Sequence, residues 1–205
     1  VFYYLTVTNE PYLQPAMVAG AEDGIIKGIY RCKESDNKAA ALRVNLFGSG
    51  AILNKVIEAQ SILDERYGVA ADVWSVTSYK ELHRDGLMAD RWNMIHPQET
   101  AKVPYLAQAL EGRDGVFVAA SDYVKALPES VSKWIPGRLI SLGTDGFGRS
   151  DGRAHLRDFF EVDERYVTLA ALHGLAADGR MDGAVVGKAI RELDIDPGKV
   201  NPMTG

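Results

Sequence analysis

Short apolar runs alternate along the chain with segments in which apolar residues recur every three or four positions. The runs are rich in β-branched and aromatic residues and predict strands. They occupy residues 29–32, 42–47, 72–77, 115–120 and 138–142. Helical spacing follows the second run, at Ile52, Val56, Ala59 and Leu63. Strands and helices joined by short connections predict a three-layer α/β/α fold with a mostly parallel sheet of about five strands, in which residues 29–32 form an edge.

Breaking and capping residues set the ends of the first helices. Gly68 is placed to end the first helix in a left-handed conformation. Residues 79–92 are long enough for a second helix, which His96 and the following proline end. Gly86 is expected to be an irregularity within it, and a short helix is expected at residues 104–110.

The second half of the chain contains weaker and stronger helix signals. Pro128 divides residues 124–134 into two short turns, or into a helix that begins near the proline. A helix is expected around Phe159 after the last strand. Asp163 and Asp182 each precede a segment with one apolar face, so both aspartates are predicted helix caps.

The beginning of the chain lacks this regularity. Residues 1–7 predict a strand, and residues 8–20 contain two prolines and a glycine without a clear period, as a linker does. A strand at residue one suggests a fragment of a longer protein. We therefore expect residues 1–20 to be the end of a preceding domain with its linker, and residues 21–205 to be one domain.

Composition narrows the function classes. The chain has 205 residues, of which 46% are hydrophobic, enough for one substantial core. Its formal net charge of -5 argues against a nonspecific nucleic-acid or membrane surface. The single cysteine, Cys32, cannot form an internal disulfide, and no apolar run reaches the length of a membrane-spanning helix. A soluble protein of a reducing cytoplasm is the resulting expectation.

The loop after the last strand is the first candidate site. Residues 143–151 contain three glycines together with Asp145, Arg149, Ser150 and Asp151. The arginine and the turn amides could orient an anionic ligand at the carboxyl edge of the sheet. Alternatively, the loop is structural: Ser150 or Asp151 caps the next helix, and Arg149 pairs with a nearby carboxylate. The structural alternative is favoured.

The turn Gly48-Ser49-Gly50 is the second candidate, since it joins a strand to a helix where a phosphate would bind. The dinucleotide fingerprint needs a glycine at position 53, where Leu53 stands instead. A tight turn with Ser49 as the helix cap is the favoured alternative.

Histidine and cysteine offer little further chemistry. No two of the four histidines have the spacing of metal ligands on one helix face. His83 is expected to be a solvated helix-face residue, and His96 a capping or core partner. Cys32 is expected to be a buried or half-buried thiol.

Several strings of residues occur in the order that one known family shows. They include Tyr3-Tyr4-Leu5-Thr6, Lys27-Gly28-Ile29-Tyr30, Leu46-Phe47-Gly48-Ser49-Gly50, Arg91-Trp92-Asn93-Met94-Ile95-His96-Pro97, Leu142-Gly143-Thr144-Asp145-Gly146-Phe147-Gly148-Arg149-Ser150-Asp151 and Lys199-Val200-Asn201-Pro202. On these residues the chain resembles the C-terminal region of the homodimeric bacterial pyruvate dehydrogenases, the thiamine diphosphate-dependent decarboxylating components of the pyruvate dehydrogenase complex. The resemblance extends nearly from end to end.

The resemblance implies a transketolase-like C-terminal domain at residues 21–205, preceded by the end of a pyrimidine-binding domain. Such a parent enzyme decarboxylates pyruvate oxidatively and transfers the acetyl group to the lipoamide of the dihydrolipoamide acetyltransferase component in the bacterial cytoplasm. Thiamine diphosphate and magnesium would be bound by domains absent here, so no catalytic, cofactor-binding or metal-binding residue is expected in this chain.

The implied roles of this domain are to stabilise the homodimer and to help form the wall of the approach to the active site. Asp145, Arg149 and Ser150 are the loop candidates near that edge. The chain alone is expected to be inactive. Two alternatives stay open: the corresponding domain of a transketolase or another 2-oxo acid dehydrogenase, and an independent ligand-binding regulatory module whose Gly48-Ser49-Gly50 turn and 143–151 loop face one crevice.

Overall fold

Five strands form one sheet in a computed structural model that describes residues 2, 4, 5, 7 and 11–205. In chain order they are β1 (Ile29–Lys33), β2 (Leu42–Gly48), β3 (Val69–Val76), β4 (Gly115–Ala120) and β5 (Gly137–Leu142). Their order across the sheet is β1-β3-β2-β4-β5. Strands β2 to β5 are parallel, and β1 pairs antiparallel with β3 at one edge. The predicted mostly parallel sheet, with residues 29–32 at an edge, is confirmed.

The helices within these described residues connect the strands and cover the sheet. They are α1 (Glu22–Lys27), α2 (Ile52–Tyr67), α3 (Tyr79–Ile95), α4 (Tyr105–Ala109), α5 (Ala126–Glu129), α6 (Arg153–Phe159), α7 (Glu164–Ala177) and α8 (Gly183–Glu192), with a 3₁₀ turn at Ser132–Trp134. The residues of α2, α7 and α8 belong to one apolar cluster, and those of α3, α4 and the 3₁₀ turn belong to a second. The three-layer arrangement is thus as predicted.

Strand β4 shows how the sheet separates the two clusters. Successive side chains of a strand point to opposite faces, so Val116 and Val118 join the cluster under α2 and α7, whereas Phe117 joins the cluster under α3 and α4. The Phe117 ring meets the Phe47 ring edge to face at 5.7 Å, and Phe47 meets Trp74 in the same way at 6.4 Å. Complete burial of each such side chain contributes about 1.5–3 kcal/mol. Both faces of the central strands are therefore buried under apolar side chains.

The predicted caps are confirmed. The Asp163 carboxylate accepts hydrogen bonds from the backbone N–H groups of Arg165 and Tyr166 at the start of α7, and Asp182 accepts one from Ala184 at the start of α8. Each satisfies amide donors that the first helical turn leaves unpaired. Gly68 ends α2 with a φ of 63°, the left-handed conformation expected of a glycine there.

Three local predictions and one unpredicted helix need comment. Helix α1 was not predicted. Gly86 is not an irregularity, because α3 continues through it and ends at Ile95, one residue before His96. Pro128 lies inside the short α5, with the 3₁₀ turn following it, which matches the prediction of two short turns. Of the strand predicted at residues 1–7, residues 1, 3 and 6 lie outside the described part, and residues 2, 4, 5 and 7 are not in a strand.

A buried carboxylate joins three segments near the amino ends of the strands. Asp72 in β3 is 3% exposed, and its Oδ2 atom lies 2.6 Å from Nη1 of Arg113. Its Oδ1 atom accepts a hydrogen bond of 2.9 Å from the backbone N–H of Ser35, and Arg31 lies 3.8 Å from Oδ2. Asp72 therefore ties β3 to the turn after β1 and to the turn after α4.

Candidate functional site

The carboxyl ends of β2 and β4 meet at the point where the sheet reverses its winding. From β2 the chain passes through α2 on one face to β3, whereas β4 lies on the other side of β2 and is followed by residues that pack on the opposite face. Open α/β sheets present ligand sites in the crevice formed at such a point, because neighbouring connections separate there. Ser49 follows β2 and Ser121 follows β4, and their hydroxyl oxygens lie 2.9 Å apart.

A cavity of about 360 Å³ opens at this position, and we refer to it as the switch-point crevice. Its lining residues are Ser49, Gly50, Val76, Thr77, Ser78, Tyr79, Lys80, Ser121, Asp122, Tyr123 and Leu127. These residues follow the carboxyl ends of three parallel strands, or begin the segments after them. The volume lies within the usual range of small-molecule sites.

Ser49 does not cap α2, contrary to the prediction. The cap position is Ala51, which has no side-chain hydrogen bond to the helix, and no acidic residue occurs in the first turn. The Ser49 hydroxyl instead pairs with Ser121, whose Oγ also accepts a hydrogen bond of 3.1 Å from the Tyr123 N–H. The amino end of a 16-residue helix therefore lies beside the crevice without a negative side chain to balance its dipole.

Two titratable groups of the crevice have altered surroundings. Tyr79 is 5% exposed, and burial raises the pKa of its phenol well above the usual range. Its hydroxyl has no hydrogen-bond partner within the described part of the chain. Desolvation raises the pKa of Asp122, although the side chain stays open to solvent and the Arg157 and Arg153 guanidinium groups oppose the shift. Tyr79 is thus neutral at physiological pH and offers a hydrogen-bond donor.

The 143–151 loop is attached to the segment that follows β4. A Cβ atom on Gly143 would lie 2.4 Å from the carbonyl oxygen of Tyr123, so only glycine fits there. The Thr144 N–H donates to the same carbonyl oxygen at 2.9 Å. Asp145 accepts a hydrogen bond of 3.1 Å from the Lys125 N–H at the start of α5. Contacts within the fold account for this half of the loop.

The other half of the loop is more open. The Arg149 guanidinium lies over the Phe159 ring at 4.4 Å, a cation–π contact in place of the predicted carboxylate pair. Ser150 is exposed, and neither Ser150 nor Asp151 occupies the cap position of α6, which is Gly152. Asp151 accepts a hydrogen bond of 2.6 Å from the Gly152 N–H instead.

The predicted site residues are therefore not brought together around one cavity. Asp145 faces α5, Arg149 faces α6, and neither lines the switch-point crevice. Ser121 and Tyr79 were not predicted as residues of a site. The sequence did contain a signal for Ser121. This polar residue directly follows an apolar strand, just as Ser49 follows the neighbouring strand.

The remaining candidates have structural surroundings. The His83 ring meets the Trp134 ring edge to face at 5.9 Å, so it is more packed than a solvated surface histidine. The His96 ring stacks on Trp92 at 3.6 Å, which confirms its part in ending α3. Burial raises the pKa of the half-buried Cys32 thiol to about 11, which keeps it protonated. Among the described residues, no three His, Cys, Asp or Glu side chains come together as a metal site, and no helix has the length and apolar character that crossing a bilayer requires.

Comparison with known proteins identifies the family to which the chain belongs. Residues 28–163 match the family model of the transketolase-like C-terminal domain, and the chain belongs to this family. Over 99% of its length the chain is 52% identical to the pyruvate dehydrogenase E1 component of Pseudomonas aeruginosa, of which it covers 23%. It is 51% identical over 98% of its length to the corresponding protein of Escherichia coli, of which it covers 22%. The chain thus matches the C-terminal part of this oxidoreductase, and it spans less than a quarter of these relatives.

Solved structures support the fold. A split-gene transketolase has a TM-score of 0.52 and 19% identity, over 73% of this chain and 43% of that chain. A transketolase variant from Pichia stipitis has a TM-score of 0.53 and 18% identity, over 84% of this chain and 21% of that chain. At this identity the comparison concerns the fold alone, and it agrees with the transketolase-like architecture expected from the sequence.

Proposed function

We propose that the chain is the C-terminal domain of a homodimeric bacterial pyruvate dehydrogenase. The parent enzyme would decarboxylate pyruvate oxidatively in the cytoplasm and transfer the acetyl group to the lipoamide of its dihydrolipoamide acetyltransferase partner. The observation that carries this proposal is the 52% identity over 99% of the chain with a pyruvate dehydrogenase component. The likeness to transketolases is weaker, at 18–19% identity, and favours that alternative less.

The cofactors of the parent would be bound by its other domains. Thiamine diphosphate supplies an electron sink for decarboxylation when it is bound, and magnesium holds its diphosphate. Among the described residues, no three His, Cys, Asp or Glu side chains come together. We assign no catalytic step to this chain. In this proposal residues 1–20 end the preceding domain, and residues 21–205 stabilise the homodimer and help to enclose the approach to the active site.

A chimeric enzyme tests the assignment to the pyruvate family. The chain would replace the matching C-terminal part of the Pseudomonas aeruginosa enzyme, and pyruvate-dependent acetyl transfer would be measured with the acetyltransferase component. We expect the chimera to be dimeric and active, because about half of the replaced residues are identical. A chimera that dimerises and binds thiamine diphosphate normally but has no turnover would contradict the assignment. The matched control is a chimera that carries the C-terminal domain of a transketolase, which we expect to lose activity.

The chain alone tests the assignment of chemistry to the other domains. With thiamine diphosphate and magnesium added, we expect no pyruvate-dependent release of carbon dioxide from the 205-residue chain. The full-length parent is the positive control under the same conditions. Release of carbon dioxide by the chain alone would show that it contains catalytic groups and would refute this part of the proposal.

A further inference from the structure

Two adjoining cavities form a groove along the exposed side of α3. Their volumes are about 500 Å³ and about 480 Å³. Both are lined by Asp85 and Met88 of α3 and by Gln108, which follows from α4. The first cavity continues to Val103, and the second continues to Ile26 in α1. We refer to the two cavities together as the α3–α4 groove.

The groove is long rather than compact. It follows α3 from Glu81 to Trp92, which corresponds to about 16 Å of helix. An extended peptide of about five residues has the same length. The shape of the groove therefore suits a segment of polypeptide better than a single small molecule.

Apolar side chains that line the groove are open to solvent. Ile26 is 75% exposed, Met88 is 66% exposed and Val103 is 55% exposed. Three further apolar side chains of α3 are also exposed: Leu87, Met94 and Ile95. Exposed apolar residues grouped in this way mark interaction surfaces, and methionine adapts its shape to a partner. The groove thus offers contacts for apolar side chains of a ligand.

Two cations without a carboxylate partner line the cavity at the Val103 end of the groove. Within the described part of the chain, Arg91 makes no ion pair or hydrogen bond through its side chain. The Lys102 ammonium lies 3.5 Å from the centroid of the Trp92 ring, and no carboxylate of the described residues pairs with it. Asn93 holds the Lys102 backbone, since it accepts from the N–H at 2.8 Å and donates to the carbonyl oxygen at 3.0 Å. Positive charge is therefore held in place before a ligand binds, which lowers the cost of binding.

The acidic residues of the groove already have partners. Glu81 pairs with Arg84, one turn along α3. Asp85 accepts a hydrogen bond of 2.6 Å from the Tyr105 N–H at the start of α4. The unpaired charge in the groove is consequently positive, although the chain as a whole has a net charge of -5.

We propose that the α3–α4 groove binds an acidic, amphipathic segment of a partner protein. Carboxylates of the segment would pair with Arg91 and Lys102, and its apolar side chains would cover Met88 and Val103. Two free cations on a chain of net charge -5 are too few for a nucleic acid or an anionic membrane, which need a broad basic surface. This docking site makes no use of the decarboxylation chemistry proposed for the other domains and does not rest on that assignment.

Selection of peptides tests the chemistry of the partner. A phage library of random peptides would be selected on the full-length subunit, and bound phage would be eluted with an excess of the 205-residue chain. We expect the eluted peptides to combine Asp or Glu with Leu, Ile or Phe. Selection on an Arg91→Glu subunit should enrich basic peptides instead, because the charge at the contact is reversed. No enrichment, or enrichment of peptides without acidic residues on the unmodified subunit, would refute the proposal.

Three other occupants of the groove would give different results. Binding of an acidic peptide to the 205-residue chain but not to the full-length subunit would mean that another domain covers the groove. A dimer of the chain that Met88→Asp dissociates in sedimentation measurements would make the groove a contact between two copies. Binding of phosphatidylglycerol vesicles to the full-length subunit, abolished by Arg91→Glu, would make the partner a membrane. Each of these results would overturn the proposal.

Matched variants locate the contact. An enriched acidic peptide would be synthesised with a fluorescent label and titrated with each variant of the full-length subunit by anisotropy. Arg91→Glu and Met88→Asp are each expected to weaken binding about tenfold or more, because one reverses a pairing charge and the other places a carboxylate where an apolar side chain docks. The controls are Arg180→Glu and Met203→Asp, which alter an exposed arginine and a methionine that is 65% exposed, both outside the groove. We expect them to leave binding unchanged, and equal effects of all four variants would refute the site.

Discussion

A Cβ atom on Gly86 would lie 2.3 Å from Cζ2 of Trp134, so the backbone of α3 and the indole ring are in direct contact. The indole N–H donates to Oδ1 of Asp90 at 3.2 Å, one helical turn further along α3. Trp134 is 8% exposed and belongs to the apolar cluster beneath α3. The helix therefore positions this ring at two points, and glycine is required at one of them.

We expect Gly86→Ala to lower the free energy of unfolding by about 1–3 kcal/mol, because the added methyl group must displace a packed ring. This loss would occur although alanine is the better helix former by about 1 kcal/mol. Gly187→Ala in α8 is the matched control, since nothing lies within 4 Å of a Cβ atom there. It is expected to raise stability by about 0.5–1 kcal/mol. Urea denaturation measures both, and a Gly86→Ala variant as stable as the control would contradict the packing.

The buried carboxylate of Asp72 gives a second prediction. Arg113→Met removes its nearest cation, at 2.6 Å, and leaves a charge that is 3% exposed with Arg31 only 3.8 Å away. We expect a loss of about 3 kcal/mol, which is typical of breaking a buried pair from one side. Arg138→Met is the control, because the Arg138–Asp178 pair has side chains that are 47% and 23% exposed. Its loss should stay below about 1 kcal/mol. Equal losses in denaturant titrations would argue against a special role for Asp72.

The ion pair between α2 and α7 predicts a dependence on pH. Lys55 Nζ lies 3.1 Å from Oε2 of Glu164. Burial raises the pKa of Glu164, but its own backbone amide and the Lys55 ammonium outweigh burial and hold the pKa below its ordinary value of 4.5. A lowered folded-state pKa contributes stability that is complete above 4.5 and is lost as the pH falls through the folded-state value.

Glu164→Gln should therefore lower stability at pH 7 by less than about 1 kcal/mol, since the pair is partly exposed to solvent. The difference from the unmodified chain should shrink as the pH falls from 4.5 towards 2. Glu65→Gln, on the exposed side of α2, is the matched control variant. A Glu164→Gln difference that stays constant across this range, measured by denaturation at several pH values, would count against the ion pair.

The glycine loop gives a prediction for the full-length enzyme. Asp145→Ala removes the acceptor for the Lys125 N–H and should cost about 1 kcal/mol, as the loss of a helix cap does. Arg149→Ala removes only a surface contact with Phe159. We expect both variants to keep pyruvate turnover and acetyl transfer, because contacts within the fold account for both side chains. A fall in turnover without a change in thermal stability would instead give the loop a role at the active site.

Local signals were enough for most of the fold. The apolar runs predicted β2, β4 and β5 to within a few residues. The run was clearest at β4, where residues 116–120 are all buried, because strands buried on both faces are nearly continuous in apolar residues. Asp163 and Asp182 marked helix starts because capping acts within two or three residues of the cap. Helix α1 gave no such signal: it has six residues, no side-chain cap and one buried residue, Gly24.

Contacts between distant parts of the chain could not be predicted in this way. The Ser49–Ser121 pair joins residues 72 positions apart, and the Asp72–Arg113 pair joins residues 41 apart. The sequence marks Ser49 and Ser121 only as polar residues at strand ends, and neither Asp72 nor Arg113 carries a local sign of its partner. The same reason explains the wrong prediction for Gly86. Glycine is needed at this position because of the Trp134 ring, which comes from a different segment of the chain. The resemblance to a known family predicted the class of protein. The switch-point crevice could not be predicted, because it is formed by residues that only the folded chain brings together.

Residues 199–203 pack against α6, α7 and the 143–151 loop. Lys199 donates to the carbonyl oxygen of Asp158 and to the Tyr166 hydroxyl, and a Cβ atom on Gly146 would lie 3.0 Å from the carbonyl oxygens of Pro202 and Met203. During synthesis, the five strands emerge from the ribosome well before these residues do. The loop can therefore make its contacts with Pro202 and Met203 only after residue 203 has left the exit tunnel, later than the last strand emerges.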